Sequence, residues 1–130
     1  MILLDTNTLI QYFRGLEPVV RRFLLTPRRE MRIPSIVAYE VEYGAWKTGS
    51  VSRRKATENV LTVIPQVPFD VAAASETARI RIDLERRGLV IGPLDLMIAG
   101  SAVSRDAVLV TNNTPEFSRI KGLRLQDWTK

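Results

Sequence analysis

With 130 residues, 45% of them apolar and 25% charged, the chain has the make-up of one globular domain able to bury a core without staples. It contains no cysteine and no histidine, which excludes disulfide frameworks, thiolate nucleophiles, Ser-His catalytic pairs and His- or Cys-ligated zinc. The formal net charge of +5 favours an anionic partner, nucleic acid above all.

No apolar run is long enough to span a membrane, and the chain opens on a strand pattern rather than a signal sequence. A cytoplasmic protein is the expectation. Ile2, Leu3 and Leu4 lead without a polar break into Asp5, Thr6 and Asn7. So short an apolar run reads as a strand buried on both faces of a parallel sheet. Reactive groups in such sheets gather beyond the carboxyl ends of the strands, where Asp5 falls. A helix cap at Asp5, Thr6 or Asn7 fits the same residues, so both roles stay open here.

Thr8 to Arg14 and Pro18 to Leu25 read as two short helices parted by Gly15, and Met31 to Ile33 as a strand stopped by Pro34. Ser35 is placed to cap a helix from Ile36 to about Thr48, which Gly49 ends. On its wheel Glu40 falls among Ile36, Val37, Tyr43 and Gly44, whereas Glu42 lies between Ala38 and Trp46. A carboxylate facing an apolar surface is costly unless paired or metal-bound, so Glu40 is the site candidate and Glu42 the solvated one. Val51 to Leu61 forms a second helix with Arg53, Arg54 and Lys55, and the two helices make a projecting hairpin.

Thr62 to Val67 is a strand candidate that Pro65 places near a sheet edge. Asp70 caps a long helix, Val71 to Arg87, in which Asp83 faces Arg79 and Arg87 as surface ion pairs. Gly92-Pro93 introduces a helix from Leu94 to Val103 that is apolar nearly all round and therefore buried. Its one charge, Asp95, sits in the first turn, where the helix dipole favours a carboxylate and a metal ligand is equally well delivered. Ala107 to Val110 is another short apolar strand, ending in Thr111-Asn112-Asn113 much as the first ends in Asp5-Thr6-Asn7. Glu116-Phe117 falls in a turn with Pro115, and Leu123 to Leu125 forms a last edge strand before Trp128. This alternation predicts an α/β fold: one domain, residues 1–130, with a central parallel sheet of about four or five strands flanked by helices.

Asp5, Glu40, Asp95 and Glu116 each fall where they can face one crevice. Four carboxylates around a cleft repel one another unless cations neutralise them. A hard divalent cation, Mg²⁺ or Mn²⁺, supplies what histidine cannot: activation of water and stabilisation of charge on a phosphate. A metal-dependent phosphodiesterase unites such a site with a basic exterior.

Five blocks in order carry a resemblance: L-D-T-N (Leu4 to Asn7), S-x-x-x-x-E-x-x-x-G (Ser35 to Gly44), G-P-x-D-x-x-I-A (Gly92 to Ala99), T-N-N-x-x-E-F (Thr111 to Phe117) and G-L-x-x-x-D-W (Gly122 to Trp128). Together they resemble PIN-domain ribonucleases, and within them the VapC-type toxins of bacterial toxin–antitoxin pairs. The resemblance spans nearly the whole chain. It implies that Asp5, Glu40 and Asp95 act on Mg²⁺ or Mn²⁺, with Asp5 and Asp95 as metal ligands, and position the attacking water. Many relatives carry aspartates where this chain has Asn113 and Glu116, which leaves two arrangements open: Glu116 as the fourth catalytic acid through its longer reach, or a site of three carboxylates. Asn7, Thr111 and Asn113 are implied as neutral supporting groups.

The same resemblance implies a homodimer and a small cognate antitoxin lying across the groove near the Ile36 to Leu61 hairpin. RNA is the implied substrate, with Arg53, Arg54 and Lys55 as phosphate contacts. The blocks are most similar to the enteric branch, which cuts initiator tRNA in its anticodon stem-loop. Two other classes compete. A phosphohydrolase of the haloacid-dehalogenase kind needs an aspartate two residues after the first, where Asn7 stands. A non-catalytic RNA- or partner-binding module sits poorly with acids at Asp5, Glu40 and Asp95 together.

Overall fold

The computed structural model describes residues 1–130. Five strands, β1 (Ile2–Leu4), β2 (Met31–Pro34), β3 (Gln66–Val67), β4 (Val108–Val110) and β5 (Arg124–Gln126), form one sheet in the order β3-β2-β1-β4-β5. Every pairing is parallel. Parallel neighbours require crossovers, and seven helices supply them: α1 (Thr6–Phe13), α2 (Glu17–Leu25), α3 (Ser35–Thr48), α4 (Val51–Val63), α5 (Val71–Arg86), α6 (Pro93–Ser104) and α7 (Thr114–Phe117). This is the α/β architecture expected from the alternation, with five strands.

Strand β1 is central: Leu3 is in register with Arg32 on one side and Leu109 on the other. Successive strand residues point to opposite faces, yet Leu3 and Leu4 are both fully buried. That two-sided burial is why the run shows no polar alternation. From β1 the chain steps outward to β2 and β3, then returns through α5 and α6 to lay β4 on β1's other flank. The reversal creates a switch point between β1 and β4, and ligand crevices open beyond the strand ends at such points.

Helix α6 is buried nearly all round, with Leu96, Ile98, Ala99, Gly100, Ser101 and Ala102 inside. It packs on α5 so closely that a Cβ on Gly100 would lie 2.8 Å from the Ala73 carbonyl oxygen and 2.9 Å from the Thr77 backbone nitrogen. Asp70 caps α5 as expected, accepting from the Ala73 amide at 2.9 Å.

Four local expectations are corrected. Helix α3 begins at Ser35 itself, and its cap position is Pro34, so the Ser35 side chain caps nothing. Thr62 and Val63 continue α4, leaving only Gln66 and Val67 to pair at the edge. Glu116 and Phe117 lie in the short helix α7 rather than a turn, with Pro115 in the first turn, where its missing N–H costs nothing. Arg79 pairs with Glu76 at 2.8 Å, so Asp83 keeps Arg87 alone, also at 2.8 Å. No helix is long and apolar enough to cross a membrane.

Candidate active site

Asp5 caps α1 and also ties to the end of β4, because its two oxygens do different things. Oδ1 accepts from the Thr6 amide at 2.8 Å and starts α1, while Oδ2 accepts from the Thr111 hydroxyl at 2.7 Å. The Asp5 amide and the Thr8 hydroxyl both donate to the Val110 carbonyl, each at 3.0 Å, so the ends of β1 and β4 are stitched together at the switch point. The Thr111 hydroxyl in turn accepts from the Asn113 amide at 3.0 Å, which aims its own proton at Asp5. Asp5 is only 3% exposed. Burial pushes its carboxyl above the usual range, the bonds from Thr111 and Thr6 pull it back, and the Glu40 charge adds to the rise.

The other three acids arrive from three helices. Glu40, half-buried on α3, accepts from the Thr6 hydroxyl at 2.7 Å. Glu116, in the first turn of α7, accepts from the Asn113 side-chain amide at 2.7 Å. Asp95 stands half-buried in the first turn of α6. Its pKa is pushed up to about 6, by burial first and then by the charges of Asp5, Glu116 and Glu40. Asp95 therefore lies within electrostatic reach of the other three acids, which come from the end of β1, from α3 and from α7. Of the neutral groups expected to support them, Thr111 donates to Asp5 and Asn113 to Glu116. Asn7 is exposed on α1 and its side chain bonds to nothing.

No arginine or lysine pairs with any of these acids. Their hydrogen-bond partners are two threonine hydroxyls, one amide side chain and one backbone amide, all uncharged. The excess negative charge is therefore left for something outside the chain to balance. The donor set is hard oxygen throughout, and the acids do not close into a ready-made cluster of three ligands. The oxygen donors are of the kind a small divalent cation such as Mg²⁺ takes, one or two carboxylates directly with several waters kept.

The family model for the PIN domain matches residues 2–123. The chain belongs to the PIN-domain family. Across 128 residues it is 41% identical to the tRNA(fMet)-specific endonuclease VapC of Shigella flexneri, covering 98% of this chain and 97% of that one. The protein of the same description from Salmonella typhimurium is 43% identical over 128 residues, covering 97% and 96% of the two chains. Among solved structures, DNA-bound VapBC from Salmonella typhimurium superposes with a TM-score of 0.87 at 40% identity, covering 98% of this chain and 97% of that chain. The likenesses place this PIN domain among the VapC ribonucleases.

In this PIN domain the basic triplet of α4 is split by helix geometry, since consecutive residues stand about 100° apart on a helix. Arg53 lies 5.2 Å over the Phe13 ring and borders the cleft that holds Glu40. Arg54 lies 3.9 Å over Trp46, in a separate hollow with Glu42 and Glu58. Lys55 is exposed. Of the three, only Arg53 shares a cleft with one of the four acids, Glu40. Reading the sequence missed Thr6, the hydroxyl linking α1 to Glu40, and the cations Arg14 and Lys47 that share the Glu40 cleft. Thr6 had a signal, its place directly after Asp5 in the L-D-T-N block.

Proposed function

We propose that this chain, as a single PIN domain over residues 1–130, is a divalent-cation-dependent endoribonuclease and the toxin of a toxin–antitoxin pair, with initiator tRNA as its substrate. The observation that carries the reading is that Asp5, at the switch point, is held by Thr111 and joined through Thr6 to Glu40, and that both acids act electrostatically on Asp95 together with Glu116, with none of the four ion-paired to an arginine or lysine. The tRNA(fMet)-specific naming of relatives at 41% and 43% identity supports the substrate. Solved VapBC assemblies of similar chains support an antitoxin partner, and a cytoplasmic homodimer is the form in which we expect it.

Asp5 and Asp95 would hold the cation, Mg²⁺ or Mn²⁺, which when bound supplies activation of water and charge stabilisation on the phosphate. The remaining work belongs to the protein. Thr111 fixes the direction of Asp5, and the Asp5 cap fixes the start of α1, so the ligand cannot swing out of the crevice. Thr6 occupies Oε1 of Glu40 and leaves Oε2 free to take a proton from the attacking water. Asn113 holds Glu116 on the opposite rim. An unpaired anticodon loop can be splayed so that its backbone reaches recessed carboxylates, whereas a stacked duplex cannot.

Glu40→Gln should lower the cleavage rate by about a hundredfold or more, the scale of a lost general base, with the melting temperature kept. Glu42→Gln should leave the rate unchanged, since Glu42 is exposed and outside the crevice. Equal losses in a gel-based cleavage assay would overturn the assignment of the α3 face.

The substrate is tested by sequencing RNA 5′ ends after brief induction. One dominant cut in the initiator tRNA anticodon loop is expected, with growth arrest that Asp5→Asn relieves and co-expressed antitoxin reverses. Cuts spread through messenger RNA, or gathered in the ribosomal sarcin–ricin loop, would sink the tRNA assignment and leave the nuclease. Absence of any cleavage with Mg²⁺ and with Mn²⁺ would sink the nuclease.

A further inference from the structure

A cleft of about 370 Å³ runs from Glu40 between α1, α3 and the start of α4, and its rim includes Phe13, Arg14, Lys47, Thr48 and Arg53. Three cations come to it from three elements. Arg14 is the residue that closes α1, Lys47 lies in the last turn of α3, and Arg53 lies in the first turn of α4. None of the three takes part in an ion pair, although arginines elsewhere, such as Arg81, Arg87 and Arg105, are paired with carboxylates. Glu40, the one acid on the rim, is bonded to Thr6 rather than to any of them. Three unpaired cations against one engaged carboxylate leave the cleft positively charged.

The cleft is also shaped for more than one anion. It shares Phe13, Thr48 and Arg53 with a second hollow of about 410 Å³, which adds the hydroxyls of Ser50 and Ser52. That hollow lies at the N-terminus of α4, a 13-residue helix capped by Ser50, where the helix dipole adds positive potential. Arg53 stands between the two spaces with its guanidinium over the Phe13 ring, a contact that leaves its edge donors available. Lys47 is similarly placed 5.8 Å from the Tyr43 ring centre.

We infer that Arg14, Lys47 and Arg53 form a track for successive RNA phosphates beside the scissile bond, one phosphate to each cation, on the Glu40 side of the crevice. The inference rests on the nuclease reading for its occupant, and adds where the strand lies and which cations hold it. A phosphate track supplies affinity and register but little sequence selectivity, so base choice is made elsewhere. Binding of this kind is felt equally by ground and transition states, so its loss raises KM and spares kcat.

The test uses the full chain in EDTA, where RNA is bound but not cut, with a fluorescent anticodon stem-loop of initiator tRNA as probe. Arg14→Gln, Lys47→Gln and Arg53→Gln should each weaken binding several-fold. Each should also lower the slope of log affinity against log salt by roughly 0.7 to 1, the contribution of one phosphate contact. With Mg²⁺ added, KM should rise and kcat stay within about twofold, the pattern of lost uniform binding. Arg81→Gln, which removes a cation already paired with Glu85 at 3.1 Å, should change neither slope nor KM. Unchanged slopes in the three variants, with wild-type cleavage intact, would overturn the track and leave the nuclease. Loss of antitoxin co-purification with RNA binding preserved would assign the cleft to the protein partner and equally overturn it. Cleft-dependent binding by a wild-type chain that cuts nothing with Mg²⁺ or Mn²⁺ would keep the track and overturn the nuclease.

Discussion

Asp95→Asn should abolish cleavage and, in the absence of divalent cations, raise the melting temperature at pH 7. The first effect follows from the proposed role of Asp95 as a cation ligand, the second from its carboxyl being pushed up to about 6 from a reference of 3.8 by burial and by Asp5, Glu116 and Glu40. A carboxyl with a raised folded pKa is more costly to ionise in the folded chain than in the unfolded one. Stability of the metal-free protein therefore falls as pH rises from about 4 through about 6, and the asparagine variant escapes that loss. The gap between variant and wild type should be small at pH 4 and open fully by pH 7. Asp5, whose carboxyl is also raised, adds a loss of the same sign that both proteins share. Added Mg²⁺ should reverse the order, because only the wild type gains the stabilisation of binding through two carboxylates. Loss of a ligand for a cation that supplies several kcal/mol of charge stabilisation corresponds to about a thousandfold or more in kcat. Melting curves in EDTA and in Mg²⁺ across this pH range decide the matter. A pH-independent gap in EDTA would show that Asp95 is not held against its neighbours' charge.

The parts of the molecule legible in sequence are those set by local pattern. Leu3 and Leu4 announced a strand buried on both faces, and the nearly all-round apolar surface of Leu94 to Val103 announced a buried helix, because burial on every side leaves little room for polar residues. Asp5 was legible as a capping or liganding group but not as both at once. That required knowing that Thr111, 106 residues away, arrives beside its second oxygen. Ser35 misled because Pro34, the last residue of β2, takes the cap position with an extended ψ of 141°, so the helix starts one residue earlier than a serine cap would place it. Arg53, Arg54 and Lys55 read as one basic patch in sequence but fan out around α4. Arg14 and Lys47 carried no signal at all, since only the packing of α1 on α3 brings them to a common cleft.

Gly100 was the least legible of these positions, and its replacement should be among the most damaging. Inside a helix, glycine costs about 1 kcal/mol relative to alanine, so Gly100→Ala should by propensity alone stabilise α6. The structure reverses the sign. A Cβ there would lie 2.8 Å from the Ala73 carbonyl oxygen and 2.9 Å from the Thr77 amide nitrogen, and would overlap the Thr77 hydroxyl. A hydroxyl can rotate away, but the two backbone atoms cannot, so α5 and α6 must separate along a buried face. Overpacking typically costs 1–3 kcal/mol, and a collision with helix backbone belongs at or above about 3 kcal/mol. In a domain of this size that is a fall in melting temperature of roughly 10 °C or more. Thr77→Ala removes the hydroxyl overlap alone, so the double variant should recover only part of the loss. Function should suffer beyond the loss of fold, because the α5–α6 crossing sets the axis of the helix that delivers Asp95 to the crevice. At temperatures where Gly100→Ala remains folded, its cleavage should therefore need more Mg²⁺ than the wild type, with RNA affinity in EDTA unchanged. Denaturant titration beside a Mg²⁺ titration of activity separates the two effects. A variant as stable as wild type would mean that the helices are not in the contact described.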